Sequence, residues 1–446
     1  AAVVLEQAQA PALVGGGDVI VRLSPGVPAR LLLSGTLQSD ALRDRVRVAA
    51  PAHTADLYLF TKRPDDSPSR AGVRVAARGG IPSLERALGD PETTQVAAWR
   101  DTEDDVAWIR ETPERALRQI DRFHEVPDAP EWADSWAEWL YFNGRADAAR
   151  FYLTFLVGPR SPDGRRAAGV RLQLERGGKT ETFSESAILT EDEVSRAPDL
   201  TIGANRVRLD GMHYRIHLDL AGTGGRRVTG DLMLDATPGH LVPPLEIVGA
   251  RGWRTGYVVP VMAGRLGGTL LVTHAGTSRA SPPPGVSTER VSLDGGTGYH
   301  DHNWGFWEGV TWQWGQVQHE GLSFVYGRVF PPANAADPER IPGFVGALGP
   351  DGPLGYATDV RISETSDAAG RPRRIAVRAR GAALDLTMTF DAASVIVSQA
   401  AQGPGRRVDF YQMHGTYTVT GRAGPLAIAF TAPGAAETFR GARSAK

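Results

Sequence analysis

Residues 299–305 read YHDHNWG, and further tryptophans follow at positions 307, 312 and 314. Four of the ten tryptophans of the chain therefore lie in this short span. Strand packing alone favours valine, isoleucine and leucine, so an acid, two imidazoles and a carboxamide indicate either chemistry or a specific polar network. In the structural alternative, the same groups tie the end of a strand to its neighbours.

An extended backbone places successive side chains on opposite faces, which divides this motif into two sets. One face is expected to carry Tyr299, Asp301 and Asn303. The other face is expected to carry His300, His302 and Trp304. Trp312 and Trp314 repeat the alternation after a turn near Glu308 and Gly309, so a hairpin with aromatic side chains on one face is the simplest interpretation.

Length and composition bound the class of protein. A chain of 446 residues suggests two to three domains, and its 52 glycines and 31 prolines are typical of a turn-rich β protein. The net charge of −2 provides no basic surface for nucleic acid. Because the chain has no cysteine, thiol chemistry and iron–sulfur clusters are excluded.

The first part of the chain divides by its local patterns. Residues 1–82 are predicted to form a small β-rich module, with strands near 19–23, 29–33, 46–48 and 56–60. Residues 83–130 are predicted to form a helical connector. Within it, Thr112 and Pro113 suit a helix start, followed by apolar residues at helical spacing, namely Ala116, Leu117, Ile120 and Phe123. Two prolines in residues 126–130 indicate a linker.

The remainder is predicted to be two barrel-like halves, residues 131–290 and 291–446. In the first half we expect strands near 150–157, 168–175, 206–220, 228–235 and 268–274, and in the second near 312–317, 323–330, 374–380, 384–390 and 410–419. Barrels of this size either enclose one small ligand or fill with side chains. The fold class predicted from these patterns is therefore mainly β, with two strand-rich halves after the β-rich module and the connector.

Several motifs occur in an order that resembles one known family. They are residues 138–144, EWLYFNG; residues 151–155, FYLTF; residues 298–305, GYHDHNWG; and residues 312–315, WQWG. Together they resemble the carotenoid 1,2-hydratase-like proteins, which are often described only as predicted secreted hydrolases. The resemblance implies two consecutive lipocalin-like antiparallel β-barrel domains, over residues 131–290 and 291–446. The fold of that family is in turn similar to that of fungal Diels–Alderases.

The resemblance implies protonation of an isoprenoid or terpenoid alkene inside a β-barrel pocket, followed by hydration or cyclisation. Asp301 would be the acid, which requires a carboxyl group that keeps its proton near neutral pH. His300, His302, Asn303 and Tyr299 would complete the catalytic set. The substrate-binding set would be Trp304, Trp312, Trp314, Trp139, Tyr141 and Glu138, with indole and phenol faces stabilising a cation.

Three alternatives remain at this point. His300 and His302 could bind a metal with His319, His274 or Asp301, which would make the protein a metal-assisted hydrolase. A lipocalin-like carrier would bind an apolar ligand without turnover. A pericyclase would rely on shape and hydrogen bonding instead of acid chemistry. We expect no cofactor and no resident metal, since no G-x-S-x-G, P-loop, H-E-x-x-H or dinucleotide-binding motif occurs in a fitting context.

The expected partner is a hydrophobic small molecule, with no nucleic acid and with peripheral contact to a membrane surface left open. No stretch reaches the roughly 18 apolar residues that span a bilayer. The sequence starts at Ala1 without a methionine, which is typical of a chain whose signal peptide has been removed. We therefore expect an exported bacterial protein, with a cytoplasmic or membrane-surface enzyme as the alternative.

Overall fold

The computed structural model describes residues 113–147, 149–274, 287–401 and 407–441, together with the backbone of eight strands between residues 2 and 98. The chain separates into two units, Ala1–Thr112 and Pro113–Lys446, and each is described by itself. Thr112, the predicted helix cap, lies outside the described residues.

The first unit contains short strands arranged in two sheets. Its strands are β1 (Ala2–Glu6), β2 (Ala8–Val14), β3 (Asp18–Leu23), β4 (Ala29–Ser34), β5 (Val46–Ala49), β6 (His53–Lys62), β7 (Pro68–Ala77) and β8 (Thr94–Ala98). One sheet has the order β1-β4-β6-β7-β8 and the other β2-β3-β5. The four strands predicted from the sequence coincide with β3, β4, β5 and β6.

The described part of the range predicted as a helical connector contains both a strand and a helix. Strand β8 lies within the range predicted as helix, because its Thr-Gln-Val run pairs with β7. The helix α1 covers Pro113–Ile120, and its Leu117 is buried in the core of the second unit. A short helix α2 covers Glu191–Val194, and single 3₁₀ turns occur at Ala133–Ser135, Thr223–Gly225, Ala250–Gly252 and Pro338–Arg340.

The second unit begins with a twelve-stranded sheet. Its strands are β9 (Trp136–Ala146), β10 (Ala149–Arg160), β11 (Arg166–Arg176), β12 (Lys179–Leu189), β13 (Leu200–Ile202), β14 (Asn205–Asp210), β15 (His213–Gly222), β16 (Arg226–Asp235), β17 (Val242–Val248), β18 (Arg254–His274), β19 (Ser287–Ser292) and β20 (Gly296–Phe306). Eight of them close a barrel in the order β12-β11-β10-β9-β20-β18-β16-β15, and the closing contact pairs Phe183 with Gly222.

A nine-stranded antiparallel sheet follows. Its strands are β21 (Thr311–His319), β22 (Leu322–Phe330), β23 (Phe344–Gly349), β24 (Gly352–Ala357), β25 (Asp359–Ser366), β26 (Pro372–Arg380), β27 (Leu384–Ala401), β28 (Arg407–Ala423) and β29 (Leu426–Gly441). It curls into a half-barrel with the order β24-β23-β22-β21-β29-β28-β27-β26-β25. The mainly β fold with consecutive barrel-like parts is thus confirmed, although only the first part closes.

The chain passes from the first sheet to the second after Phe306, beyond the boundary expected at residue 290. The reason is that β20 completes the closed barrel by pairing with both β9 and β18. Apolar side chains fill the barrel and the half-barrel separately, and another apolar cluster lies between the two sheets. Over the described ranges, helices long and apolar enough to cross a bilayer are absent.

Candidate functional site

The side chains of the YHDHNWG motif on β20 alternate between two different environments. Tyr299 belongs to the apolar cluster between the two sheets, and Asp301 and Asn303 lie on the same face of the strand. His300 stacks on Phe142 of the barrel core, with ring centroids 4.1 Å apart. The predicted site residues therefore form two separate groups, one in the cleft between the sheets and one inside the barrel.

Asp301 is the acid on the cleft side. Its side chain is 3% exposed, and the Asn303 Nδ2 donates a hydrogen bond to its Oδ1 at 2.8 Å. Burial and the charge of Glu437 raise the pKa of Asp301 well above its ordinary value, although hydrogen bonds from Tyr299 and Asn303 oppose the shift. Burial beside Glu437 therefore favours the protonated form of this carboxyl group.

Glu437, on β29 of the second sheet, is a second buried acid that sequence reasoning missed. It is 7% exposed and pairs across the sheet with Trp314 on one side and Gln412 on the other. The Gln412 Nε2 donates to its Oε1 at 3.0 Å. Burial raises the pKa of Glu437 to about 7, against hydrogen bonds from Gln412, Tyr141 and Trp312.

Aromatic side chains surround the two acids. Tyr141 is the direct neighbour of Asp301 across β9 and β20, and its ring lies 5.8 Å from that of Trp314. The ring of Tyr299 lies 5.4 Å from the same indole. The Tyr257 hydroxyl is 2.6 Å from that of Tyr299 and accepts a hydrogen bond from the Trp314 Nε1 at 3.1 Å. Aromatic rings from both sheets therefore pack around the two acids.

Trp139 and Trp312 lie further along the same cleft. The indole of Trp312 stacks on Phe439 at 4.1 Å, and its centroid is 6.3 Å from that of Trp139. Both are half-buried and pack against the apolar cluster between the sheets. They extend the aromatic lining from Trp314 toward the edge of the cleft.

Trp304 was predicted to line the same space, but the structure places it elsewhere. Its indole stacks on His124 at 4.1 Å and lies over Gly256, where an added Cβ would sit 2.0 Å from the ring. Strand alternation explains the separation, because Trp304 has the parity of His300 and His302 rather than that of Asp301.

The two histidines of the motif are held inside the barrel by Asp121, which follows α1. The His300 Nε2 lies 2.9 Å from Asp121 Oδ2, and the His300 Nδ1 lies 2.9 Å from the Tyr141 carbonyl oxygen. The His302 Nδ1 lies 3.2 Å from Asp121 Oδ1. The Tyr214 hydroxyl also donates to Asp121, at 2.8 Å. Burial opposes ionisation, but His300 and His302 lower the pKa of Asp121 to about 2.

Glu138 completes this network from β9 and does not face Asp301. Its Oε1 accepts from the His302 Nε2 at 2.8 Å and from the His124 Nδ1 at 2.7 Å. Burial would lower the pKa of His302, but Asp121 and Glu138 raise it to about 9. Two anionic acids thus contact the charged imidazole of His302, which stabilises these buried charges.

The metal ligands suggested by the sequence are not the side chains whose ligand atoms converge in the structure. His319 stacks on Phe430 of the second sheet, and Asp301 is on the opposite face of β20 from the histidines. The ligand atoms that do converge, within 4.8 Å, belong to His124, Glu138 and His302. Those atoms are already joined by short hydrogen bonds that use the Glu138 Oε1 twice. The set suits a metal by ligand type and suits a closed ionic network equally well.

A cavity of about 500 Å³ opens between the two sheets at the beginning of β20. Thr297, Gly264 and Arg145 line it from the first sheet, and Gln318 and Thr431 line it from the second. Thr297 has the same strand parity as Tyr299 and Asp301. The cavity therefore begins on the face of β20 that carries the candidate acid.

Sequence reasoning missed Glu437, Tyr257, Asp121 and His124. Glu437 does carry a local signal, since it is a lone acid at the parity of Ala435 and Phe439 in an otherwise apolar strand run. The others come from segments far apart in the chain, and no spacing rule connects them with β20.

No family model matches the chain, and no curated protein is similar enough to count as a match. Solved structures with a similar arrangement include CghA with Sch210972, at 12% identity and a TM-score of 0.43 over 74% of this chain and 95% of that one. Kievitone hydratase from Nectria haematococca is similar at 13% identity and a TM-score of 0.43, over 72% of this chain and 94% of that one. Similarities of this size carry no residue role from those proteins to this chain.

Proposed function

We propose that the protein is an enzyme that protonates a carbon–carbon double bond of an apolar alkene in the cleft between the two sheets, leading to hydration or cyclisation. The observation that carries the proposal is Asp301, a carboxyl group that is 3% exposed and whose pKa is raised well above its ordinary value. An acid that retains its proton at neutral pH is the group that such a reaction requires.

The aromatic lining supports a cationic intermediate. Protonation of an alkene carbon by Asp301 leaves a carbocation on the neighbouring carbon. The electron-rich faces of Tyr141, Tyr299 and Trp314 attract a cation without capturing it. The cleft thus provides both the proton and an environment in which the resulting charge is tolerated.

Glu437 supplies the matching base. With a pKa of about 7 it is partly ionised near neutral pH, whereas burial and the charge of Glu437 favour the protonated form of Asp301. In hydration, a water oxygen bonds to the cation while Glu437 accepts the proton that the water loses. In cyclisation, Glu437 removes a proton from carbon after the ring closes. Transfer of that proton to Asp301 returns both acids to their initial state.

The substrate class in this proposal is an isoprenoid or terpenoid. It rests on the resemblance of residues 138–144 and 298–305 to the carotenoid 1,2-hydratase-like proteins, and the apolar cleft is compatible with it. In the proposed arrangement Trp139 and Trp312 hold the apolar chain, and Asn303 orients the Asp301 carboxyl group. His300, His302 and Glu138 act on this site by holding β20 in place.

The test compares the wild type with Asp301→Asn, which keeps size and hydrogen bonding but removes the acid. Asp359→Asn, at an exposed position of β25, is the matched control. Apolar molecules that co-purify with each protein are identified by native mass spectrometry and extraction. We expect an unsaturated isoprenoid to accumulate unchanged in Asp301→Asn, while the wild type and Asp359→Asn convert it when it is added back.

Two results would contradict the proposal. Conversion at the wild-type rate by Asp301→Asn would leave shape and hydrogen bonding as the catalytic means, as in a pericyclase. An identical bound molecule in all three proteins, with no conversion by the wild type, would identify a carrier.

A further inference from the structure

Two arginines with no apparent partner face each other beside the cleft. Arg145 on β9 and Arg150 on β10 are directly opposite in the strand register. Like charges in this position destabilise a sheet. In the described ranges, neither side chain makes an ion pair or a side-chain hydrogen bond. Burial and the charge of Arg150 lower the pKa of Arg145. The pair therefore costs folding free energy and gains no internal partner.

The neighbours on one side of this pair do not neutralise it. Arg145 lies opposite Thr297 of β20, and Thr297 lies opposite Arg265 of β18. Arg265 is bound by Asp235, with its Nη2 2.7 Å from the Asp235 Oδ2. Asp235, the acid on this side of the pair, is therefore already bound to Arg265.

On the other side an acid is adjacent, but it forms no ion pair with Arg150. Arg150 lies opposite Glu175 of β11, and the Glu175 Oε2 accepts a hydrogen bond from the Ser394 Oγ at 3.0 Å. His414 lies 3.8 Å from the same carboxyl group, and burial together with Arg150 lowers its pKa to about 3. His414 is therefore neutral, and the positive potential here comes from the two arginines.

Arg145 is part of the wall of the 500 Å³ cavity, together with Thr297 and Gln318. The same three residues and Arg150 also line a second, smaller space of about 20 Å³. The acid lining the larger cavity is Glu320, which is exposed and 3.8 Å from the His319 Nε2. Arg145 thus borders both spaces, and Arg150 borders the smaller one.

The position of the pair relative to the candidate acid is set by strand geometry. Arg145, Asn143 and Tyr141 occupy one face of β9, as Thr297, Tyr299 and Asp301 do on β20. Four residues of a strand span about 13 Å. A group bound at Arg145 is therefore separated from the level of Asp301 by about that length.

We propose that Arg145 and Arg150 bind the anionic group, a carboxylate or a phosphate, of an amphipathic substrate whose apolar chain extends along β20 to Asp301. Guanidinium groups recognise both anions through paired N–H donors. The assignment of the chain to the Asp301 end rests on the proposed function. The anion site rests on the unpaired arginines and the cavity alone.

The test measures binding rather than turnover, using Asp301→Asn as the background. The probes are farnesoate, farnesyl phosphate and farnesol, which share one apolar chain and differ in the end group. Titration calorimetry gives the dissociation constants. We expect at least one anionic probe to bind at least about tenfold more tightly than farnesol, and which anion is favoured identifies the group. The preference should disappear in Arg145→Met/Arg150→Met and persist in Arg208→Met, at an exposed position of β14.

Equal binding of all three probes by the Asp301→Asn background, or an unchanged preference in the doubly substituted protein, would overturn the anion site. Folding is checked by thermal unfolding at low salt, where the double substitution should melt at or above the temperature of its background because a like-charge pair is removed. A retained anion preference in a wild type that converts none of the probes, nor its own co-purified ligand, would contradict the proposed chemistry while leaving the anion site intact.

Discussion

At the scale of single residues, the notable feature is a pair of buried acids contributed by different sheets. The side chains of Asp301 and Glu437 are each more than nine-tenths buried. Loss of hydration raises the pKa of both carboxyl groups, and the charge of Glu437 raises the pKa of Asp301 further. Two acids that share one environment cannot both ionise easily. Their protonation is therefore best described as a property of the pair.

Burial of Glu437 predicts a pH-dependent cost to stability. Its pKa rises from 4.5 to about 7 on folding, so the native state binds more protons than the unfolded state between these values. Stability is therefore lost as pH rises through this window, by about 3 kcal/mol. We expect Glu437→Gln to be more stable than the wild type at pH 8, with most of the gain absent at pH 4.

Urea unfolding at both pH values measures this effect. Glu125→Gln, at an exposed position, is the control and should follow the wild type. An equal effect of Glu437→Gln at pH 4 and pH 8 would show that the carboxyl group is not desolvated as described.

At the scale of elements, β20 carries a different polar network on each of its two faces. Its cleft face carries Asp301, and its barrel face carries His300 and His302, which bind Asp121 and Glu138. Asp121 comes from the segment after α1, so the network also fixes that segment against the barrel. The histidines therefore hold the strand that positions the candidate acid.

Removing Asp121 leaves the buried, charged His302 without one of its two anionic partners. Breaking a buried ion pair in this way costs about 3–5 kcal/mol. We expect Asp121→Asn to lose that much stability at pH 6, while Asp128→Asn, exposed in the same connector, loses little. The lowered pKa of about 2 means that the contribution of Asp121 is present above its ordinary value of 3.8 and is lost as pH falls toward 2.

Unfolding by urea at pH 6 and pH 2.5 would measure this difference. The gap between Asp121→Asn and the wild type should narrow at the lower pH. A gap of the same size at both pH values would contradict the ionic role of Asp121.

The raised pKa of His302 predicts a separate loss of folding stability at alkaline pH. Its pKa rises from 6.5 to about 9 on folding, so its contribution is complete below pH 6.5 and disappears as pH rises through 9. This corresponds to about 3 kcal/mol. We expect the stability of the wild type to fall over this interval and that of His302→Gln to change much less, as measured by unfolding between pH 6 and pH 9.5. Parallel pH profiles would exclude a charged His302.

At the scale of the whole second unit, the barrel interior is occupied by apolar side chains and the histidine network, and the candidate chemistry lies between the sheets. Contacts across that boundary are numerous and specific. The Tyr152 hydroxyl donates to the Met413 carbonyl oxygen at 2.8 Å, and the Gln316 Nε2 donates to Asn143 Oδ1 at 3.1 Å. The two sheets therefore stabilise each other through the surface that forms the site.

Coupling between the sheets is testable with Leu348→Ala. Leu348 is on β23 and is 3% exposed in the cluster that both sheets share. We expect a loss of about 2–5 kcal/mol, with faster hydrogen exchange in β9 and β10 of the first sheet as well as in β22 and β23. Leu426→Ala, 39% exposed, is the control. Faster exchange confined to the second sheet would show that the sheets open independently.

Much of this architecture follows from local sequence. Period-two alternation predicts which side chains of 299–304 share a face, because a strand has only two faces. Turn residues and β-type runs predict the mainly β class and several strands, and Pro113 with its apolar spacing predicts α1. Composition marks residues 299–305 as either a chemical site or a polar network, since packing does not account for an acid in such a run. The role of Asp301 as the acid comes from the family resemblance.

The remaining features depend on contacts between distant segments, which a local pattern cannot specify. The partners of His300 and His302 include Asp121, far away in sequence, and Glu437 meets the environment of Asp301 only because β29 lies beside β21. Membership of β20 in the closed barrel likewise depends on its pairing with β9 and β18. The sequence by itself determined the strands and the faces of their side chains, because these depend on backbone geometry within a few residues. Only the tertiary structure decided which faces meet and which acids lose their hydration, because burial is produced by the packing of one sheet against another.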